Sequence, residues 1–216
     1  MKPIRTVVAL AALMVAVGCT SDVPHVYTYD LMGALEAPAP SLAASASKLP
    51  MTLRVERFNA LGGRDRYEMA YSVERNRLDH DHFHRWVERP SRTARAVVLQ
   101  RLRQSQGFER VEGAGLLDAD LILEVELQAF EERLQGPDSK ACVTLSGRLI
   151  PTASPAQALA VLGKAEVALN SALATADESQ VPLARAMEEA LLLAADALCA
   201  ETLDAASQWA AQGPAR

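Results

Sequence analysis

ADLILEVELQAFEERLQGPDSKACVTLSGRLI, residues 119–150, decides the architecture. Leu121, Leu123, Val125 and Leu127 alternate with Ile122, Glu124, Glu126 and Gln128. A period of two lines the first set along one face of an extended chain. Gly136, Pro137, Asp138 and Ser139 supply a turn. Lys140 to Ile150 then returns with Val143, Leu145 and Leu149 toward the core. A long antiparallel hairpin is predicted over 118–150.

Toward the C-terminus, Ala158 to Leu173 reads two ways. Its alanines favour a helix, whereas Val161, Gly163, Ala165, Val167 and Leu169 fit a strand after a Pro-rich turn. Residues 182–210 predict a long helix started by Pro182. Leu191, Leu198, Thr202 and Trp209 line one meridian, with Met187, Ala195 and Ala205 beside it.

Toward the N-terminus, Phe108 to Val111 is a short strand. It follows a helix that starts at Pro90 and carries the stripe Ala94, Val97, Val98, Leu99 and Leu102. Gly107 stands where a C-terminal cap is expected. Tyr67 to Glu74 and Arg77 to Trp86 form a second hairpin, with Tyr67, Met69, Tyr71 and Val73 on one face. Met51 to Phe58 is a half-buried strand, 34–50 an Ala/Pro/Ser-rich linker, and Val26 to Leu31 a short first strand. The pattern predicts an α/β fold, a sandwich of a mixed, antiparallel-rich β-sheet with two main helices. Residues 51–212 hold most of this one domain, with residues 26–31 belonging to it and 19–50 leading in.

The chain begins with an address. Lys2 and Arg5 precede an apolar run from Val7 to Val17, and Gly18 precedes Cys19. That layout is a secretory signal, too short to span a bilayer. Ala16-Val17-Gly18-Cys19 resembles the bacterial lipobox. Cleavage after residue 18 leaves Cys19 as the acylated first residue, and several acyl chains make a durable anchor. Thr20 rather than Asp follows Cys19, which leans toward the outer membrane. Cys142 and Cys199 then lie in an oxidising compartment, either paired or as two separate thiols. Cys142 sits beside Thr144, Ser146 and Arg148 on what reads as a polar strand face.

The 216 residues carry 22 Lys and Arg against 27 Asp and Glu, so no basic surplus invites nucleic acid. P-loop, Gly-x-Ser-x-Gly, His-Glu-x-x-His and Cys-x-x-Cys patterns are absent. No cofactor is called for. His80, His82 and His84 alternate, so a regular strand would put them on one face. They are weak metal candidates, because same-face neighbours stand nearly 7 Å apart, wide for one tetrahedral zinc. The bland alternative is three outward polar positions. Glu124/Glu126 and Glu131/Glu132 read as a solvated strand face. Tyr71, Phe83, Trp86 and Trp209 are core or interface candidates.

An ordered set of features follows the lipobox: Tyr29-Asp30-Leu31, Leu53 to Phe58, Met69-Ala70-Tyr71, His84-Arg85-Trp86-Val87-Glu88-Arg89-Pro90, Ser105 to Val111, Ala119 to Leu123, Phe130 and Trp209. In this order the sequence resembles the ABC-type transport auxiliary lipoprotein family, the PqiC-like lipoproteins. Gln106 departs from it, standing where glycine is common. The resemblance implies a periplasmic domain tethered to the outer membrane. It also implies partners: an ABC permease and ATPase, an MCE-domain protein, and copies of itself in ring-like homo-oligomers. The expected role is docking for a transporter of lipids or other hydrophobic molecules. A periplasmic lipid-binding shuttle is the alternative, and an envelope hydrolase lacks a visible nucleophile and base.

Overall fold

The computed structural model describes residues 25–38, 48–74, 77–113, 115, 118–135, 138–169 and 180–212. The signal segment 1–18, Cys19 and most of the 34–50 linker lie outside them.

The predicted hairpin is the spine. β7 (Leu121–Gln135) and β8 (Asp138–Pro151) pair antiparallel from Leu121↔Pro151 to Gln135↔Asp138. A 3-10 turn at Pro155–Gln157 leads into β9 (Leu159–Ala168), antiparallel to β8. The strand alternative for this segment is therefore the right one. Its inward row Val161, Gly163, Ala165 and Val167 lies under a helix.

The free edge of β7 is shared along its length by one stretch of chain. β2 (Leu49–Val55) pairs with it at Leu53↔Leu121, β3 (Asn59–Ala60) at Asn59↔Glu126, and β4 (Glu68–Glu74) at Tyr71↔Glu132, all parallel. β6 (Phe108–Gly113) extends the sheet beyond β2, also parallel. β5 (Arg77–Trp86) pairs antiparallel with β4, and β1 (Tyr27–Tyr29) runs parallel to β5 at the margin. The sheet is mixed, with long antiparallel ladders and short parallel ones.

Among the described residues the α-helical elements are one short turn, α1 (Gly33–Glu36), and the two predicted helices, α2 (Pro90–Gln104) and α3 (Val181–Gln212). α2 and α3 bury Val97, Val98, Leu102, Met187, Leu191 and Leu198 against Leu53, Leu123, Leu145 and Leu149. Burying each such side chain contributes about 1.5–3 kcal/mol. Among the described residues, no helix is long and apolar enough to cross a membrane.

Two irregularities change which residues face the core. A bulge between Leu127 and Ala129 inserts Gln128 and reverses the alternation. Odd residues face inward up to Leu127. Beyond the bulge Phe130 points inward and Glu131 outward. In β4 the predicted face is wrong: Met69, Ala70 and Ser72 are buried, while Tyr67 and Val73 are exposed. Register shifts at both ends of the β4–β5 ladder break the period of two there.

The end of α2 also differs from expectation. Gly107 is not the left-handed residue; Gln106 is, with φ of 52°. Gly107 is instead closely packed: a Cβ there would overlap the end of the Leu203 side chain of α3, which would have to turn aside. Gln106 is exposed and carries the strain of a left-handed backbone. Gln106→Gly is expected to stabilise the fold by about 0.5–1 kcal/mol, the relieved strain outweighing the added chain entropy. An unchanged or lowered thermal midpoint would contradict this.

Candidate functional site

The feature that sequence singled out, His-Asp-His-Phe-His at 80–84, is a wide bulge and not a regular strand. Glu68 pairs with Arg85, yet the next residue, Met69, pairs with Asp81, so residues 82–84 leave the β4–β5 ladder. Asp81 replaces the lost ladder bonds. Its Oδ1 accepts from the backbone N–H of Phe83 at 2.8 Å and of His84 at 3.3 Å. Its Oδ2 meets His84 Nδ1 at 2.7 Å.

The three imidazoles therefore go separate ways. His80 Nε2 lies 3.2 Å from the Gly63 carbonyl oxygen. His82 is exposed. His84 stacks on Tyr27, with ring centroids 5.4 Å apart and planes 11° apart. Among the described residues no three His, Cys, Asp or Glu side chains gather in a metal-binding group. The shared face expected of these histidines does not form, because Asp81 turns the chain between them.

β1 brings the N-terminal chain to this bulge. Tyr27 pairs with His84 and Tyr29 with Trp86. His25 packs edge-on against Tyr27 with centroids 4.7 Å apart. A small aromatic stack thus forms where the chain from Cys19 reaches the domain. Phe83, next to His84 in the chain, is 46 % exposed.

The other aromatic candidates take part in packing. Trp86 is 2 % exposed and meets Phe130 in a T-shaped contact at 5.5 Å. Tyr71 is half-buried on β4. Trp209 packs partly buried against the core from the end of α3. Its Nε1 is buried without a hydrogen-bond partner among the described residues.

Cys142 and Cys199 are both free and both buried. Cys142 lies opposite Glu131 on β7 and Glu166 on β9, on the sheet face away from the helices. Cys199 belongs to the helix-side core. The sheet between them separates the two thiols. Burial pushes both thiols up from their ordinary range, so neither is an activated nucleophile.

The face around Cys142 is polar, as expected, but not solvated throughout. Glu131 is buried and binds Arg64 Nε at 2.9 Å. Arg133 bridges from Glu131 to Glu166, 3.1 Å from the latter. A hydrogen bond from Lys164 holds the Glu166 carboxyl below the usual range despite partial desolvation. Sequence reading missed the first of these pairs because Arg64 and Glu131 are 67 residues apart. Two clefts have mixed polar and apolar linings. One, of about 630 Å³, lies at the end of α2 between Lys48, Arg103, Gln106 and Arg110. The other, of about 320 Å³, lies over Glu124, Glu126 and Arg148.

The family model for the ABC-type transport auxiliary lipoprotein component matches residues 34–198. The chain belongs to that family. The match runs from α1 to the middle of α3 and takes in every strand except β1. Protein XCC0632 from Xanthomonas campestris has the same fold at 17 % identity and a TM-score of 0.69, covering 87 % of this chain and 99 % of that one. A second solved structure, of an uncharacterized protein, aligns at 16 % identity and TM-score 0.53, covering 76 % of this chain and 93 % of its own. Among curated proteins none matches. A transport auxiliary lipoprotein works beside an ABC transporter system and belongs at a membrane.

Proposed function

We propose that this chain is the lipid-anchored, periplasm-facing docking component of an MCE-associated ABC transporter that moves lipids or other hydrophobic molecules between the membranes. The observation that carries the reading is the family match over residues 34–198. In this reading Cys19 holds the acyl chains in the outer membrane, and the domain meets the permease, ATPase and MCE-domain assembly, as a single copy or as a ring of copies. The chemistry is left to the partners. The chain has no P-loop of its own, and its thiols are buried.

The test is purification of the full-length lipidated protein, tagged at its C-terminus, from gently solubilised membranes. A permease, an ATPase and an MCE-domain protein are expected to co-purify, identified by mass spectrometry. A lone monomer from membranes that contain such a transporter would overturn the reading. Bound phospholipid in native mass spectra, without those partners, would favour the shuttle. In the same experiment Cys19→Ser is expected to release the protein from the membrane fraction.

A further inference from the structure

Beyond the anchor itself, we propose that the Val26–Phe83 end of the β1–β5 ladder is a second membrane contact that rests in the lipid headgroup layer. The proposal rests on the reading of Cys19 as the acylated residue. Val26 immediately precedes Tyr27 and Phe83 immediately precedes His84, and Tyr27 and His84 are register partners. The two side chains therefore leave the same end of the ladder. They are 42 % and 46 % exposed, in a region with an Asp81-stabilised bulge that holds Phe83 outward.

Chain length fixes what can cover this end. Cys19 is six residues before His25. Even a fully extended segment of that length spans no more than about 22 Å. A domain of this size is roughly 40 Å across. The tether is shorter than the body it holds, so the acyl anchor keeps the β1–β5 margin near the bilayer and the β6 margin away from it. The side chains at this end suit that position. Val26 and Phe83 are apolar, and their chain neighbours His25, Tyr27 and His84 pack ring against ring. Rings with an apolar body and a polar edge favour the membrane–water interface. The two contacts act together, because the anchor raises the local concentration of the second.

Phe83→Cys and, separately, Val26→Cys give single labelling sites, since Cys142 and Cys199 are buried and the Cys19 sulfur carries lipid in the mature protein. Glu109→Cys on exposed β6 is the control. Each full-length lipidated variant is spin-labelled and reconstituted into phosphatidylethanolamine–phosphatidylglycerol vesicles. Collision with oxygen, which enters lipid, is compared with collision with a nickel chelate, which does not. The oxygen-to-chelate ratio at positions 83 and 26 is expected to exceed that at 109 by at least about threefold. A chain that floats with the vesicles but shows equal ratios would overturn the contact and leave the anchor standing. Labels at 83 and 26 shielded from both reagents would assign this end to a protein surface and overturn the proposal. A chain that does not float would overturn the Cys19 anchor and the contact together.

Discussion

Gly163→Val is expected to destabilise the domain by at least about 4 kcal/mol, a large share of the 5–15 kcal/mol typical of a folded domain. Gly163 sits on the inward face of β9, where α3 crosses the strand. A Cβ there would overlap the carbonyl oxygen of Ala194 and stand 2.8 Å from Leu198 Cβ. The obstacle is helix backbone, which cannot swing aside as a flexible side chain can. Relief requires lifting α3, and that would open the contacts of Ala190, Leu191, Ala194 and Leu198, all fully buried. Gly163→Ala is expected to cost about 3 kcal/mol, within the upper range for overpacking. Gly115→Ala is the control, because among the described residues its Cβ would meet only the Gly113 carbonyl, at an ordinary 3.7 Å. Urea unfolding reads the difference as a lowered midpoint at unchanged slope. A Gly163→Val midpoint equal to wild type would show that α3 does not lie against β9 as described.

The same contact explains the abundance of alanine in the C-terminal third. Ala190, Ala194 and Ala195 keep the buried side of α3 thin, so the helix can approach the β9 backbone. Bulkier side chains would bury more area each but hold the helix farther off. The glycine on the strand and the alanines on the helix are two halves of one fit.

Where the sequence was informative, a local period met a continuous face. The β7–β8 hairpin, the inward row of β9 and the stripes of α2 and α3 all repeat over many residues, and each lies where its period places it. Where it was not, one residue or one distant partner reset the pattern. Gln128 reverses β7, so Phe130 enters the core at an even position. Asp81 folds residues 82–84 out of the β4–β5 ladder and separates histidines that alternate in sequence. Asp65 accepts from the Ser91 N–H and so caps α2 from 26 residues away, a role no neighbouring residue announces. The Asp81 bulge could have been suspected, since Asp followed by turn-forming hydrogen bonds competes with a strand ladder. The Glu131–Arg64 pair had no such signal. Tyr71, Phe83, Trp86 and Trp209 were legible as core or interface candidates, but only the fold separates exposed Phe83 from buried Trp86.

A buried ion pair between the helices carries the second large effect. Arg101 on α2 is 2 % exposed, and its Nε stands 3.3 Å from Asp196 Oδ1 on α3. Its Nη1 donates to the Ala37 carbonyl at 3.3 Å and to Gln104 Oε1 at 3.4 Å. Desolvation pushes the Asp196 carboxyl above its ordinary range, and Arg101 pulls it back. Arg101→Met removes the compensation and leaves a partly buried carboxylate unpaired, at an expected cost of about 3 kcal/mol near neutral pH. The sign with pH follows from protons bound. In the variant the folded-state Asp196 pKa lies above the ordinary value of 3.8, so between those two values the folded state holds more protons than the unfolded one. Stability in that window falls as pH rises. The gap between variant and wild type should therefore narrow as pH is lowered into that window, where the folded-state carboxyl takes up its proton. Arg101→Met combined with Asp196→Leu should recover most of the loss, because an apolar pair replaces the ion pair without leaving a lone charge. Thermal or urea unfolding of the three variants across the acidic range tests each step. A double variant no more stable than Arg101→Met alone would mean that Arg101 acts through its bonds to Ala37 and Gln104 and not through Asp196.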